Sequence, residues 1–249
     1  MAFVHEPIAE KFFDESEEVI AWAEMNNRLI SIIIPTLNEA GDIASTLATL
    51  VDRLDVEIIV ADGGSTDATV EKALSAGARL VRSPPGRALQ MNSGASAARG
   101  DTLLFLHADC LLPPDFADHV HEILARPRVM AGAFRLSIKG KGRGLRLLET
   151  AINFRSTLLQ MPYGDQALFL ARRTFDDLGG FPELPIMEDF ELVRKLRQKG
   201  QVRIAPAVVR TSARRWQRLG LLKTTLVNQM IIAAYLLGVR PERLAAWYK

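Results

Sequence analysis

Cysteine is almost absent from this chain of 249 residues, in which Cys110 stands alone. One cysteine cannot form an intramolecular disulfide, and it excludes a zinc site built from several cysteines. The shortage is typical of a reducing compartment. No basic segment followed by an apolar one opens the sequence, so we predict no signal peptide and expect a cytoplasmic protein.

Long apolar runs are also lacking. A membrane-spanning helix needs about 20 mostly apolar residues, and the most apolar stretch, residues 221–239, is interrupted. Its polar residues are Lys223, Thr224, Thr225, Asn228 and Gln229. A helix packed on the protein or at a homodimer interface, a helix lying in a membrane interface and a true span all stay open. The interruptions favour attachment to a surface over a span.

Acidic residues are missing from residues 192–241, which carry eleven Lys or Arg, although the net charge of the chain is only +2. Residues 1–28 show the opposite bias, with seven acids against two bases. An acid-free basic segment predicts a negatively charged partner, such as a phosphate or an anionic lipid surface, unless the acidic N-terminus neutralises it. Nucleic acid is not expected, because Trp216 is the one aromatic residue among the basic residues before the apolar stretch.

Apolar runs alternate with amphipathic segments through the first half of the chain. This pattern predicts an α/β fold with a largely parallel central sheet flanked by helices. The predicted strands are residues 29–34, 56–61, 78–82, 102–106, 129–138, 167–171 and 202–209. The predicted helices are residues 39–54, 67–75, 88–98, 115–125, 145–159, 188–198 and 221–239. We further predict an N-terminal helical extension at 1–28, a main domain at 29–218 and a C-terminal helical segment at 219–249.

Two aspartates stand at the ends of predicted strands. Asp62 opens the sequence DGGSTD at residues 62–67, and Asp109 closes HAD at residues 107–109. In an open α/β sheet, ligands bind outside the carboxyl ends of the strands. Two carboxylates there can hold a ribose or base and a divalent cation, which suits a nucleotide-diphosphate donor and points to a transferase.

Other polar residues are predicted to face the same cleft. Arg87 begins a predicted helix, where a cation beside free backbone N–H groups can hold phosphate, and Asn92 follows on that helix. Asp165 and the pair Glu188 and Asp189 are candidates for a catalytic base, although acids at a helix start also stabilise the helix itself.

Several motifs together resemble the inverting glycosyltransferase family 2, which has the GT-A fold. They are PTLNE at residues 35–39, DGGSTD at 62–67, NSG at 92–94 and the strand that ends in Asp109. The resemblance covers about residues 29–218. The sequences GRALQMN at 86–92, MED at 187–189 and SARRW at 212–216 are similar to a small bacterial subgroup associated with radical-SAM and selenium- or arsenic-related genes.

The resemblance implies roles for individual residues. Asp109 matches the ligand of a divalent cation, Mg²⁺ or Mn²⁺, and Asp189 matches the general base, with Glu188 beside it and Asp165 as the second candidate base. His107 replaces the first Asp of the usual metal motif. The nucleotide-sugar site would comprise Pro35, Thr36, Glu39, Asp62, Arg87, Asn92, His107, Ala108, Arg214, Arg215 and Trp216.

We therefore expect a glycosyltransferase that moves a sugar, with inversion, from a nucleotide-diphospho-sugar to an unidentified acceptor, with a UDP-sugar as the first donor to test. One alternative is a transferase at the inner face of the membrane that acts on a polyprenyl phosphate or carotenoid, because basic residues precede the apolar C-terminal helix. A non-enzymatic alternative is a nucleotide-binding regulator, because His107 makes the metal motif degenerate.

Overall fold

A computed structural model describes residues 29–51, 53–140, 142–214, 216 and 220–247, apart from the side chain of Leu222. The N-terminal extension predicted for residues 1–28 and the predicted phosphate ligand Arg215 lie outside the described residues. Among those described, eight strands form a single sheet in the order β3-β2-β1-β4-β7-β6-β8-β5. The strands are β1 (Ile30–Thr36), β2 (Val56–Asp62), β3 (Arg79–Arg82), β4 (Thr102–Phe105), β5 (Cys110–Leu111), β6 (Val129–Ile138), β7 (Phe169–Ala171) and β8 (Gln201–Thr211).

The half of the sheet that contains β1 to β4 is parallel. β1 pairs with β2 and with β4, and β2 pairs with β3, all in parallel. β7 then runs antiparallel to both β4 and β6, while β6 and β8 are parallel to each other. The parallel half brings the carboxyl ends of β1, β2 and β4 to one edge, as the alternating sequence pattern predicts.

Strand β1 is apolar on both faces because both faces are covered. Ile30, Ile32 and Ile34 belong to one core cluster and Ile33 to the other. A strand buried on both sides therefore reads as a continuous apolar run rather than as alternation.

The helices cover both faces of the sheet. They are α1 (Ile43–Leu47), α2 (Thr69–Ser75), α3 (Arg87–Ala97), α4 (Phe116–Leu124), α5 (Arg143–Leu159), α6 (Arg172–Asp177), α7 (Glu188–Lys199), α8 (Leu221–Leu236) and α9 (Pro241–Trp247). A short 3₁₀ helix (Gly164–Gln166) precedes β7.

Helix α1 is much shorter than the predicted helix over residues 39–54. Its predicted first turn lies in a loop instead, and side chains of the next βα connection accept hydrogen bonds from two of its backbone N–H groups. The N–H of Glu39 donates to Thr69 Oγ1 at 2.8 Å, and that of Ala40 donates to Asp67 Oδ2 at 3.1 Å. Asn38 has a φ of 57° and binds the same connection. The two loops therefore form one rim.

Helix α8 occupies most of the apolar stretch near the C-terminus. Ile231 of α8 and Leu244 of α9 are buried in the core cluster that also contains residues of α3 and α7. The opposite side of α8 exposes Leu226 and Met230. Among the described residues, the helices are too short or too polar to cross a bilayer.

Candidate active site

A cleft of about 560 Å³ lies at the sheet edge where β1, β2 and β4 end. Thr36 at the end of β1 is in register with Asp62 at the end of β2. Of the predicted site residues, the cleft is lined by Pro35, Thr36, Glu39, Arg87, His107, Ala108, Asp109, Asp165, Glu188, Asp189 and Trp216. The topology thus brings together residues that are as far apart in sequence as Pro35 and Trp216.

Asp62 is buried just behind this rim, and its carboxylate is occupied by its own loop. Oδ2 accepts hydrogen bonds from the backbone N–H groups of Gly64 and Ser65, both at 3.0 Å, and Oδ1 accepts from Ser65 Oγ and Thr36 Oγ1. Burial alone would raise the pKa of Asp62, but these donors outweigh it and lower the pKa. Asp62 therefore shapes the turn after β2, and a contact to a base stays a prediction.

Helix α3 fixes the ends of the first two strands through Gln90, which the sequence did not single out. Its Nε2 donates to the carbonyl oxygens of Thr36, at 2.6 Å, and Ala61, at 3.0 Å. The structure places Asn92 outside the cleft lining. Its side-chain amide forms two hydrogen bonds with the backbone of Phe181, both 2.9 Å long, so it braces a loop.

His107, Asp109 and Cys110 form the compact cluster of potential metal ligands. One ligand atom from each lies within 4.8 Å of the others. Burial, assisted by the charge of Arg87, lowers the pKa of His107 to about 3, so the ring is neutral at pH 7. Neutral imidazole is the form that ligates metals. Its Nε2 is buried without a hydrogen-bond partner among the described residues.

Asp109 sits among charges of both signs. Burial raises the pKa of its carboxyl group, and the neighbouring Arg214 opposes that rise while Asp42 adds to it. Arg214 lies 3.9 Å from Asp109 Oδ2 and forms ion pairs with Glu39 at 3.0 Å and Asp42 at 2.6 Å. A cation therefore already stands beside the carboxylate group that was predicted to bind a metal ion.

Across the cleft, the 3₁₀ helix and the start of α7 bring two aspartates together. Asp189 Oδ2 accepts a hydrogen bond of 2.7 Å from the backbone N–H of Gly164. Burial raises the pKa of Asp165 to about 6, with Arg155 lowering it and the charge of Asp189 raising it further. Asp165 Oδ1 is buried without a hydrogen-bond partner in the described part of the chain.

Glu188 is buried beside Asp189 and pairs with Arg87 from α3 at 3.3 Å. Burial and the charge of Asp189 raise the pKa of Glu188, and Arg87 opposes the rise. Met187, with a φ of 74°, turns the chain into α7 immediately before this pair. The ion pair joins the helix predicted to hold phosphate to the helix predicted to carry the base.

The remaining wall includes residues that were not predicted as site residues. Tyr163 precedes the 3₁₀ helix, Ile186 precedes α7, and Asn228, Ile231 and Ile232 come from α8. Apolar residues on a helix ordinarily signal a core contact, so nothing in the local sequence distinguishes them. Only the folding of the C-terminal segment back onto the sheet brings α8 to the cleft.

The sequence of residues 31–181 matches the family described as glycosyl transferase family 2. This match covers more than half of the chain. The chain belongs to glycosyl transferase family 2. This family membership confirms the resemblance noted in the sequence; the more specific association with radical-SAM, selenium- or arsenic-related genes stays a prediction.

Known relatives resemble parts of this family 2 chain. The glucosyl-3-phosphoglycerate synthase of Mycolicibacterium paratuberculosis is 36% identical over 98 residues, which are 34% of this chain and 30% of the relative. The chain thus spans less than a third of the length of the first curated relatives it matches.

Solved structures share the fold over a larger part of the chain. The glucosyl-3-phosphoglycerate synthase of Mycobacterium tuberculosis, in complex with Mn²⁺, UDP and glucosyl-3-phosphoglycerate, has a TM-score of 0.56 and 24% identity, covering 84% of this chain and 77% of its own. A mannosyltransferase from Pyrobaculum calidifontis, in complex with GDP-mannose and Mn²⁺, has a TM-score of 0.60 and 22% identity. The match covers 88% of this chain and 68% of the mannosyltransferase. The predicted GT-A fold is confirmed.

Proposed function

We propose that this protein is an inverting glycosyltransferase that uses a nucleotide-diphospho-sugar donor and a divalent cation. The proposal rests on one observation: two groups of polar residues, from different parts of the chain, line the same cleft. The strand-end loops and the cluster of His107 and Asp109 form one group, and Asp165 and Asp189 form the other. A donor and an acceptor hydroxyl group can thus lie between them.

The residues present fit a divalent cation. His107 Nε2 and Asp165 Oδ1 are buried polar atoms without hydrogen-bond partners in the described ranges. Gly164 approaches His107 closely, since a Cβ atom there would lie only 3.0 Å from His107 Nε2. Asp109 and His107 would hold the ion, since carboxylate oxygen and neutral imidazole suit Mn²⁺. When bound, the cation supplies positive charge that stabilises the leaving nucleoside diphosphate.

The side chains carry the remaining steps. Asp189 takes the proton from the acceptor hydroxyl group as the acceptor oxygen forms a bond to the anomeric carbon of the sugar. At the same time the bond between the anomeric carbon and the diphosphate oxygen breaks, and the nucleoside diphosphate leaves. The hydrogen bond from Gly164 N–H holds the Asp189 carboxylate in place for this transfer. Arg87 in the cleft lining and Arg214, which lies outside the lining but 3.9 Å from Asp109 Oδ2, are the described cations that would act on the departing diphosphate.

UDP is the first nucleotide to test, because the synthase of M. tuberculosis is in complex with UDP. By their names, the synthases form glucosyl-3-phosphoglycerate, which makes phosphoglycerate one acceptor to compare. A polyprenyl phosphate or carotenoid at a membrane is favoured by none of the comparisons reported above. Homodimer formation and a cytoplasmic location stay predictions.

Calorimetry of UDP binding tests the donor half of the proposal. We expect Mn²⁺ to tighten UDP binding to the wild-type protein, and Asp109→Ala to abolish that tightening because it removes the charged ligand. Asp177→Ala, an exposed aspartate on α6, is the matched control and should behave as the wild-type protein does. Unchanged coupling between Mn²⁺ and UDP in Asp109→Ala would show that the metal site lies elsewhere.

A further inference from the structure

The acceptor side of the cleft has an apolar wall. Tyr163, Ile186 and Phe190 line it from the 3₁₀ helix and α7, and Ile231 and Ile232 line it from α8. These side chains also contact or belong to the second core cluster, so their positions are fixed by packing. A preformed apolar wall binds the apolar surface of a ligand and orients it through a few polar groups.

The ionisable groups on this side carry one sign of charge. Within the described part of the lining, they are the carboxyl groups of Asp165, Glu188 and Asp189. The one cation among the described lining residues is Arg87, which pairs with the buried Glu188 at 3.3 Å. Arg155 stacks on the ring of Tyr163, with Cζ 3.5 Å from the ring centroid, and does not line the cleft.

Among the described lining residues, an anionic acceptor would therefore meet carboxylates and no cation other than Arg87, which is paired with Glu188. Sites that recognise phosphate or carboxylate groups use Arg, Lys or several backbone N–H groups. Here the backbone N–H of Gly164 already donates to Asp189. The charge pattern disfavours an acidic acceptor, and the apolar wall favours an uncharged one.

Resting on the proposed function, we infer that the acceptor is an uncharged compound with a hydroxyl group on an apolar body, either an alcohol or a phenol. Its body would lie against Ile186, Phe190 and Ile232, and its hydroxyl group would face Asp189. This acceptor class differs from the phosphoglycerate in the name of the glucosyl-3-phosphoglycerate synthases. The difference would arise from the wall formed by α7 and α8.

A matched pair of probes tests this inference on the full chain saturated with UDP and Mn²⁺. The probes are 4-hydroxyphenylpropionate and its methyl ester, which share the phenol and differ in one charge, with 3-phosphoglycerate as a third. Binding is measured by calorimetry or ligand-observed NMR. We expect the ester to bind at least about tenfold more tightly than either anion. Equal or tighter binding of an anion, or no binding of the ester at its solubility limit, overturns the inference.

Ile232→Lys places a cation on the same wall and should reverse the preference. Binding of the ester should weaken about tenfold, and binding of the acid should become tighter. Leu226→Lys, on the exposed side of α8, is the control and should change neither. If Ile232→Lys fails to fold, Ile186→Lys in the loop before α7 replaces it. Equal effects of the wall variant and the control would overturn the inference.

The donor measurement separates the two claims. If UDP fails to bind in the presence of Mn²⁺, the proposed function fails, and this inference fails with it. If UDP and Mn²⁺ bind together but the anionic probes are preferred, the inference alone is overturned.

Discussion

Asp189 and Asp165 reach the cleft from different elements, and their surroundings give them different chemistry. Asp189 opens α7, and its Oδ2 is held by Gly164 N–H. Asp165 lies in the 3₁₀ helix with Oδ1 buried and unpaired among the described residues. Asp189 Oδ1 also accepts a hydrogen bond of 2.7 Å from the backbone N–H of Phe190, so both oxygens are held. A carboxylate that is held in place, and has a further lone pair on each oxygen, suits proton abstraction, which favours Asp189 as the base.

We expect Asp189→Asn to lower turnover by about 10²–10⁴-fold, the usual worth of a positioned base. UDP affinity should stay nearly unchanged, because the base acts on the acceptor. Release of UDP from a UDP-sugar, together with calorimetry of UDP, measures both quantities. Asp165→Asn is the companion variant, and a larger loss of turnover there would move the base to Asp165.

Asp165 also makes stability depend on pH. Its pKa of about 6 in the folded protein lies above the ordinary 3.8, so folding favours the protonated form. Ionised Asp165 therefore destabilises the folded state. This effect is absent below about pH 4, grows between about pH 4 and 6, and is complete above that range. Asp165→Asn should therefore stabilise the metal-free protein by on the order of 3 kcal/mol at pH 8, and much less at pH 4.5.

Urea unfolding in the presence of a chelator, at both pH values, measures this difference. Asp177→Asn on the exposed side of α6 is the matched control and should show little change at either pH. The same gain for Asp165→Asn at pH 4.5 and at pH 8 would contradict the raised pKa.

How far a residue could be predicted depends on whether its signal is local. Asp109 and Asp189 stand at a strand end and a helix start that the sequence marks, so their positions could be inferred. The cleft also contains residues that tertiary packing brings there and that no local sequence feature predicts, namely Gln90, Tyr163 and Ile232. Asp62 had the expected position, but only the structure shows that its carboxylate is occupied by the Gly64 and Ser65 turn.

At the scale of elements, periodicity predicted seven of the eight described strands in their order, because their apolar side chains are buried, and it missed the short β5 and helix α6. It overestimated α1, since apolar spacing continues through residues 48–54, while the backbone N–H groups of Glu39 and Ala40 bind side chains of the neighbouring loop. Periodicity also did not predict that β7 pairs between β4 and β6. Periodicity detects which face is buried, and it does not specify the strand that lies beside it.

Helix α3 packs on β1 so closely that Gly94 leaves no room for a side chain. A Cβ atom there would lie 2.4 Å from Ile33 Cγ2. We expect Gly94→Val to destabilise the protein by about 1–3 kcal/mol, the usual cost of overpacking. Ser96→Val, which adds the same side chain to the exposed face of α3, should cost clearly less. Helix propensity favours Val over Gly, so it cannot account for a loss at Gly94. Equal losses in urea unfolding would mean that the contact with β1 does not set the cost.

At the scale of the molecule, the uneven charge of the sequence is partly neutralised in space. Within the acid-free segment 192–241, Arg194 pairs with Glu191, and Arg214 pairs with Glu39 and Asp42. The cleft itself is acidic, because its described lining carries five carboxyl groups against Arg87. A donor diphosphate entering this cleft is repelled unless positive charge enters with it.

This charge distribution predicts that UDP and Mn²⁺ stabilise the protein together and not separately. At about 100 times the Kd, a ligand that binds only the folded state adds about 2.7 kcal/mol, which for a chain of this size raises Tm by about 5–10 °C. Thermal unfolding followed with Mn²⁺ alone, UDP with chelator, and both together measures the three cases. The Asp109→Ala variant, which removes a charge from the cleft, should lose the joint shift, whereas Asp177→Ala should keep it. A shift from UDP that is as large with chelator as with Mn²⁺ would mean that cationic side chains such as Arg87 and Arg214 offset the diphosphate charge without a metal ion. The cluster of His107 and Asp109 would then have another role.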